Sequence, residues 1–212
     1  MVGKRNIRNY FNCSEIITFE VIEMKQAKVL TEKELKKVID YIDAFDKHSH
    51  RNKVIVLLTH YCGMRVSEVA SLLVSDVVND EGEVNDVIHL TANQTKGSDS
   101  RRVFVSKKAK TALKQYLQSD LSVIQRVYLF NTQKSKRFNT NALTQLVKRL
   151  YQRVGIVGAS SHSGRRGFVT KLSTVGVSVA VIAKAVGHKH ISTTQKYISV
   201  NDTLISNAVE LV

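Results

Sequence analysis

From about residue 29 onward, apolar positions recur at helical spacing through most of the chain. In "TEKELKKVIDYIDAF" Leu35, Val38, Ile39 and Ile42 share one face, and Thr31 with Glu34 forms a capping box at its start, which predicts an amphipathic helix. "NKVIVLLTHYCG" is different, because it is apolar nearly all round from Val54 to Leu58. That pattern predicts a helix in the centre of a domain, stopped at Gly63. A short helix is expected near Ser67 to Leu73. The period then changes to two in "DVIHLTANQTKGSDSRRVFVS", where Val103 and Val105 alternate with polar residues, which predicts two strands joined by a polar turn at Gly97.

Helical spacing returns in "KKAKTALKQYLQ", capped by Ser106, and in "TNALTQLVKRLYQRVG", which ends at Gly155; "VYLF" between them reads as an edge strand. "SGRRGFVTKLSTVG" and "SVAVIAKAVG" are shorter helices closed by glycine. "STTQKYI", with its Ser-Thr-Thr cap, and the apolar tail "DTLISNAVELV" complete the set. Helices dominate and one small sheet is expected, so the fold class is α+β. Residues 1–28 have weak periodicity and stand apart as a basic N-terminal extension. Residues 29–212 are expected to form one domain, without an internal repeat or flexible linker.

Charge narrows the function. Lys and Arg number 32 against 18 Asp and Glu, a formal net charge of +14, which favours a polyanionic partner, and nucleic acid first. No apolar run is long enough to span a bilayer, and the basic N-terminus lacks the apolar region of a signal peptide. The two cysteines, Cys13 and Cys62, have no metal-ligand spacing and suggest no disulfide framework; a cytoplasmic protein is expected.

Six polar residues sit where chemistry could use them. Arg65 follows the buried helix, where an ion pair with Glu68 would also explain it, and Lys96 lies in the hairpin turn, where charge is common. His162 and Arg165 are three apart at a helix start, where free N–H groups favour an anion. His188 follows a helix-ending glycine, and Tyr197 falls in a polar helix. Each has an ordinary explanation alone. Together, two guanidiniums, two imidazoles, one ammonium and one phenol suit a phosphodiester: Arg65 and Arg165 to grip its oxygens, His188 as a further donor, Tyr197 as a nucleophile. Neither carboxylate clusters nor a Gly-rich phosphate loop occur in the sequence, so no metal and no cofactor is expected.

The order Arg, Lys, His-x-x-Arg, His, Tyr resembles the catalytic domain of the tyrosine recombinase or phage integrase family. The resemblance rests on "THYCGMRVSEVASLLVSDV", "TKGSDSRRVFVS", "SSHSGRRGFVTKL" and "AVGHKHISTTQKYISV", and covers about residues 29 to 212. It implies that Arg65, Lys96, His162, Arg165, His188 and Tyr197 form the active site, with Glu68 in support. The implied reaction is cofactor-independent strand cleavage and rejoining on double-stranded DNA, through a 3′-phosphotyrosyl link to Tyr197, Lys96 protonating the leaving oxygen and His162 acting as base. Four protomers act together in this family, so a homotetramer on DNA is implied, the C-terminal helix packing on a neighbour.

Two features depart from the family pattern. Gly164 stands where a larger apolar residue is usual, and Arg166 follows Arg165, which is taken as the inward arginine. Typical members also carry an N-terminal core-binding domain; either the basic residues 1–28 partly replace it as an arm, or this is a minimal member, or the gene is truncated. Two other readings remain open on the sequence: a DNA-binding protein without catalysis, for which "SVAVIAKAVGHKHISTTQKYI" reads as a helix-turn-helix, and a type IB topoisomerase, which uses a similar residue set.

Overall fold

The capping box and amphipathic face of the first helix are both present in the computed structural model, which describes residues 27–95, 99–197 and 209–210. Helix α1 (Glu32–Phe45) starts where the Thr31 hydroxyl accepts from the Glu34 N–H. It buries Leu35, Val38 and Ile42, while Ile39 lies at the rim and is only partly covered. Helix α2 (Ser49–Tyr61) is covered on every side, with Val54 through Leu58 all buried. It can sit nowhere but the middle, since an all-apolar surface is stable only under packed neighbours. It packs against α1, against α5 (Lys107–Ser119) and against α7 (Ser163–Thr174).

Short helices α3 (Val66–Ser71) and α4 (Val74–Val77) lead to the sheet. Strands β1 (Val87–Leu90) and β2 (Arg101–Phe104) pair antiparallel, with Ile88 opposite Val103 and His89 opposite Arg102. Ile88, Leu90 and Val103 point into the core. Helix α6 (Thr140–Arg153) closes the main body, and α8 (Val179–Val186) and α9 (Ile191–Gln195) follow α7. The architecture is α+β, mostly helical with a single two-stranded antiparallel sheet among the described residues, as the hydrophobic pattern predicts.

Two local expectations fail. "VYLF" does not become a strand: Tyr128 makes one isolated bridge to Leu73, and Leu129 and Phe130 are held instead by burial in the core. The last described helix is not capped by Ser-Thr-Thr, because it already begins at Ile191 with His190 as N-cap. Thr194 is thereby turned inward and fully buried. Lys96, residues 1–26 and most of the C-terminal tail lie outside the described residues. No described helix is long and apolar enough to cross a membrane.

The core is in two parts. The main cluster runs from α1 to Ile156, while Val169, Ile182 and Val186 form a small separate one with Phe168, Leu172, Val177 and Tyr197 packed against it. Tyr197 therefore rests on a satellite core built by α7 and α8.

Candidate active site

The C-terminal end of α8 gathers three arginines from three parts of the chain. A helix leaves its last carbonyls without intrahelical partners, and that end carries partial negative charge, so cations are favoured there. Here the Ala185 carbonyl accepts from Arg101 Nη1 at 2.8 Å, the Val186 carbonyl from Arg165 Nη2, and the Gly187 carbonyl from Arg65 Nη2 at 3.1 Å. Arg165 also donates through Nη1 to the carbonyl of Gly63 at 2.7 Å, which ties α7 to the end of α2. Gly187 needs to be glycine twice over: its φ is +66°, and a Cβ would lie 2.6 Å from Arg101 Cδ.

One carboxylate balances this cluster. Glu68, completely buried on α3, accepts from Arg65 Nη1 at 2.8 Å and from the Arg65 backbone N–H at 2.7 Å, and from Arg101 Nε at 3.1 Å and Nη2 at 2.7 Å. Burial pushes its carboxyl pKa up, but the hydrogen bond and charge of Arg101, the Arg65 N–H and the charge of Arg165 outweigh that and hold it below the usual carboxylate range. The ion pair expected between Arg65 and Glu68 is thus real, and it orients Arg65 within the cluster. Three guanidiniums against one carboxylate leave a surplus of positive charge. Arg65 and Arg165 each use two of five donors on these partners, so both keep donors for an anion.

His188 and Tyr197 complete the group. Their rings stack with centroids 6.2 Å apart at 23°, and His188 Nδ1 shares a hydrogen bond of 2.8 Å with the buried Thr194 hydroxyl. Burial, and then the charges of Arg165, Arg65 and Arg101, push the His188 pKa down to about 4, so the imidazole is neutral near pH 7. Arg165 is pushed down to about 9 by burial and by Arg65, against the opposing pull of Glu68, and stays protonated near pH 7. His162 is exposed at the N-cap of α7 and makes no capping bond with its side chain.

The structure therefore brings together Arg65, Glu68, Arg165, His188 and Tyr197, with His162 three residues before Arg165 on the same helix end. Lys96 lies outside the described residues. Arg165, not Arg166, points inward. Sequence reasoning misses Arg101 and Thr194. For Arg101 a signal exists, since it lies two residues before the inward Val103 on an alternating strand, a position where a surface arginine would be out of place. For Thr194 there is none, because a buried threonine in a polar stretch looks like a cap.

The unusual Gly164 is explained by close packing of α7 on α2. A Cβ there would lie 2.3 Å from Thr59 Oγ1 and 2.8 Å from Thr59 Cβ. Gly164→Leu is accordingly expected to lower unfolding stability by about 1–3 kcal/mol, read as a lower urea midpoint.

Beside that contact, His60 is buried and shares a hydrogen bond of 3.2 Å through Nε2 with the Tyr151 hydroxyl. Burial pushes its pKa from the ordinary 6.5 down to about 4. The unfolded chain takes up a proton that the folded one refuses, so the stability that depends on neutral His60 is complete above pH 6.5. It is lost as pH falls towards about 4, by roughly 3 kcal/mol over that window. Urea unfolding of wild type and His60→Gln between pH 4 and 7 checks this, and the pH slope is expected to be shallower in the variant. Equal slopes would contradict it.

Residues 28–203 match the sequence profile described as the Phage integrase family. Tyrosine recombinase XerA of Pyrococcus furiosus is 29% identical over 184 residues, 86% of this chain and 61% of XerA. Transposase A from transposon Tn554 of Staphylococcus aureus is 30% identical over 199 residues, 88% of this chain and 52% of the transposase. The chain thus spans between half and two thirds of the length of these relatives. Among solved structures, a crystal structure of XerA recombinase superposes with a TM-score of 0.70 at 27% identity, over 87% of this chain and 64% of that one. XerH site-specific recombinase bound to difH substrate has the same fold, with a TM-score of 0.67 at 22% identity over 85% of this chain and 53% of that one.

Proposed function

The chain belongs to the phage integrase family, and on that premise we propose that it cleaves and rejoins double-stranded DNA as a tyrosine-type site-specific recombinase. The observation that carries this reading is the surplus of guanidinium donors on Arg65 and Arg165 beside the ring of Tyr197 and a neutral His188. A phosphodiester bound there meets cations on its non-bridging oxygens, where charge develops during transfer, with the Tyr197 phenol as the nucleophile of this reading.

The Tyr197 oxygen attacks the scissile phosphate and forms a 3′-phosphotyrosyl bond while the bond to the 5′-oxygen breaks. His162 takes the phenolic proton, and Lys96 gives one to the leaving 5′-oxygen. Arg65, Arg165 and His188 hold the phosphate, and Glu68 holds Arg65. The role of Lys96 is carried by the family resemblance alone; Asp99, just before β2, pairs at 2.8 Å with Lys189, the neighbour of His188. A second strand's 5′-hydroxyl reverses the step, so the bond energy is kept and no metal or cofactor is required.

Four protomers on DNA, with residues around 203–212 packing on a neighbour and residues 1–28 acting as a basic arm, complete the proposal. The exchange assay tests it: two DNA fragments carrying sequence that flanks the gene are expected to swap strands with protein and EDTA alone. Relaxation of supercoiled plasmid without site dependence or exchange would point instead to type IB topoisomerase chemistry.

A further inference from the structure

Arg166 adjoins the inward Arg165 but faces another way. Its Nη1 donates to the carbonyl of Ala27, where the described chain begins, and its guanidinium carbon lies 5.9 Å from the centre of the Tyr197 ring. That distance is within reach of a cation–π attraction, and the planar guanidinium suits a ring face better than an ammonium does. Tyr197 otherwise rests on the small cluster of Val169, Ile182 and Val186, and α9 has only five residues to hold it. Besides this base, the ring has the stack on His188 and the Arg166 guanidinium to fix its direction.

We infer that Arg166 is a positioning residue for Tyr197: held by the Ala27 carbonyl, it fixes the phenol ring against α7 and α8, in register with the phosphate-binding arginines. Arg166 acts through Tyr197 and contacts no reacting atom. Arg166 thereby links Ala27 to the nucleophile. The inference rests on Tyr197 being the nucleophile for its consequence in catalysis, but its geometric part does not.

Two readouts separate the parts. In protein labelled with 3-fluorotyrosine, the Tyr197 resonance is identified by its loss in Tyr197→Phe. Arg166→Met is expected to move that resonance towards the value of a solvent-exposed tyrosine, and Arg166→Lys to move it less. With a nicked DNA substrate in single turnover, Arg166→Met is expected to slow covalent adduct formation on the order of tenfold, with DNA affinity within about twofold of wild type and partial rescue in Arg166→Lys. An unmoved resonance in a folded Arg166→Met protein overturns the inference. So does a moved resonance with wild-type cleavage rate. A moved resonance with no adduct even in wild type leaves the positioning standing and refutes the recombinase reading.

Discussion

Glu68→Ala is expected to destabilise the protein by about 3–5 kcal/mol, the largest stability loss of any single substitution considered. The reason is charge that has nowhere to go. Arg101 is almost fully buried and Arg65 mostly so, and Glu68 is their shared counter-ion through four hydrogen bonds. Removing the carboxylate leaves three guanidiniums converging on the end of α8 with only carbonyl dipoles to face them. Urea unfolding measures the loss.

A second substitution distinguishes charge from volume. If the cost is the uncompensated guanidinium, Arg101→Met in the Glu68→Ala background is expected to recover part of it, whereas independent sites would add their losses. Additive losses would mean that Glu68 matters for packing alone. Activity is expected to fall along with stability, because Arg65 loses the partner that orients it.

Much of this arrangement was legible in the chain. The all-apolar stretch from Val54 to Leu58 could only be central, and the capping box at Thr31 fixed where α1 begins. The order of Arg65, Lys96, His162, Arg165, His188 and Tyr197 indicates a phosphate site, and four of them, Arg65, Arg165, His188 and Tyr197, lie together in the fold. What was not legible depends on contacts between distant residues. The three carbonyls of residues 185 to 187 act as arginine acceptors only because the starts of α3, β2 and α7 all lie beside them, and backbone acceptors leave no mark in a sequence. Gly164 looked like a departure from a family pattern, yet Thr59, more than one hundred residues away, is what requires it. "VYLF" misled for a related reason: a short apolar run can be buried as loop when hydrogen bonds from Val74, Phe138 and Tyr116 and to Leu72, all outside the run, satisfy its backbone.

Tyr197→Phe is the other large effect. Phenylalanine keeps the ring that packs on Val169, Ile182 and Val186 and stacks on His188, so folding and DNA binding are expected to persist. Only the attacking oxygen is removed. Without it the covalent path is closed, and cleavage is expected to fall by at least about a thousandfold.

The most direct measurement is covalent capture with a nicked substrate, on which the freed fragment diffuses away and the adduct cannot be resealed. Wild-type protein is mixed with nicked fragments from the DNA flanking its gene, denatured, digested, and the DNA-bearing peptide identified by mass. The expected result is a phosphodiester-linked peptide containing Tyr197 in wild type, formed equally well in EDTA, and none from Tyr197→Phe. An adduct on another residue, or equal cleavage by the Phe variant, would contradict Tyr197 as the nucleophile. Folded wild-type protein that binds this DNA and yields no adduct would contradict the catalytic reading itself.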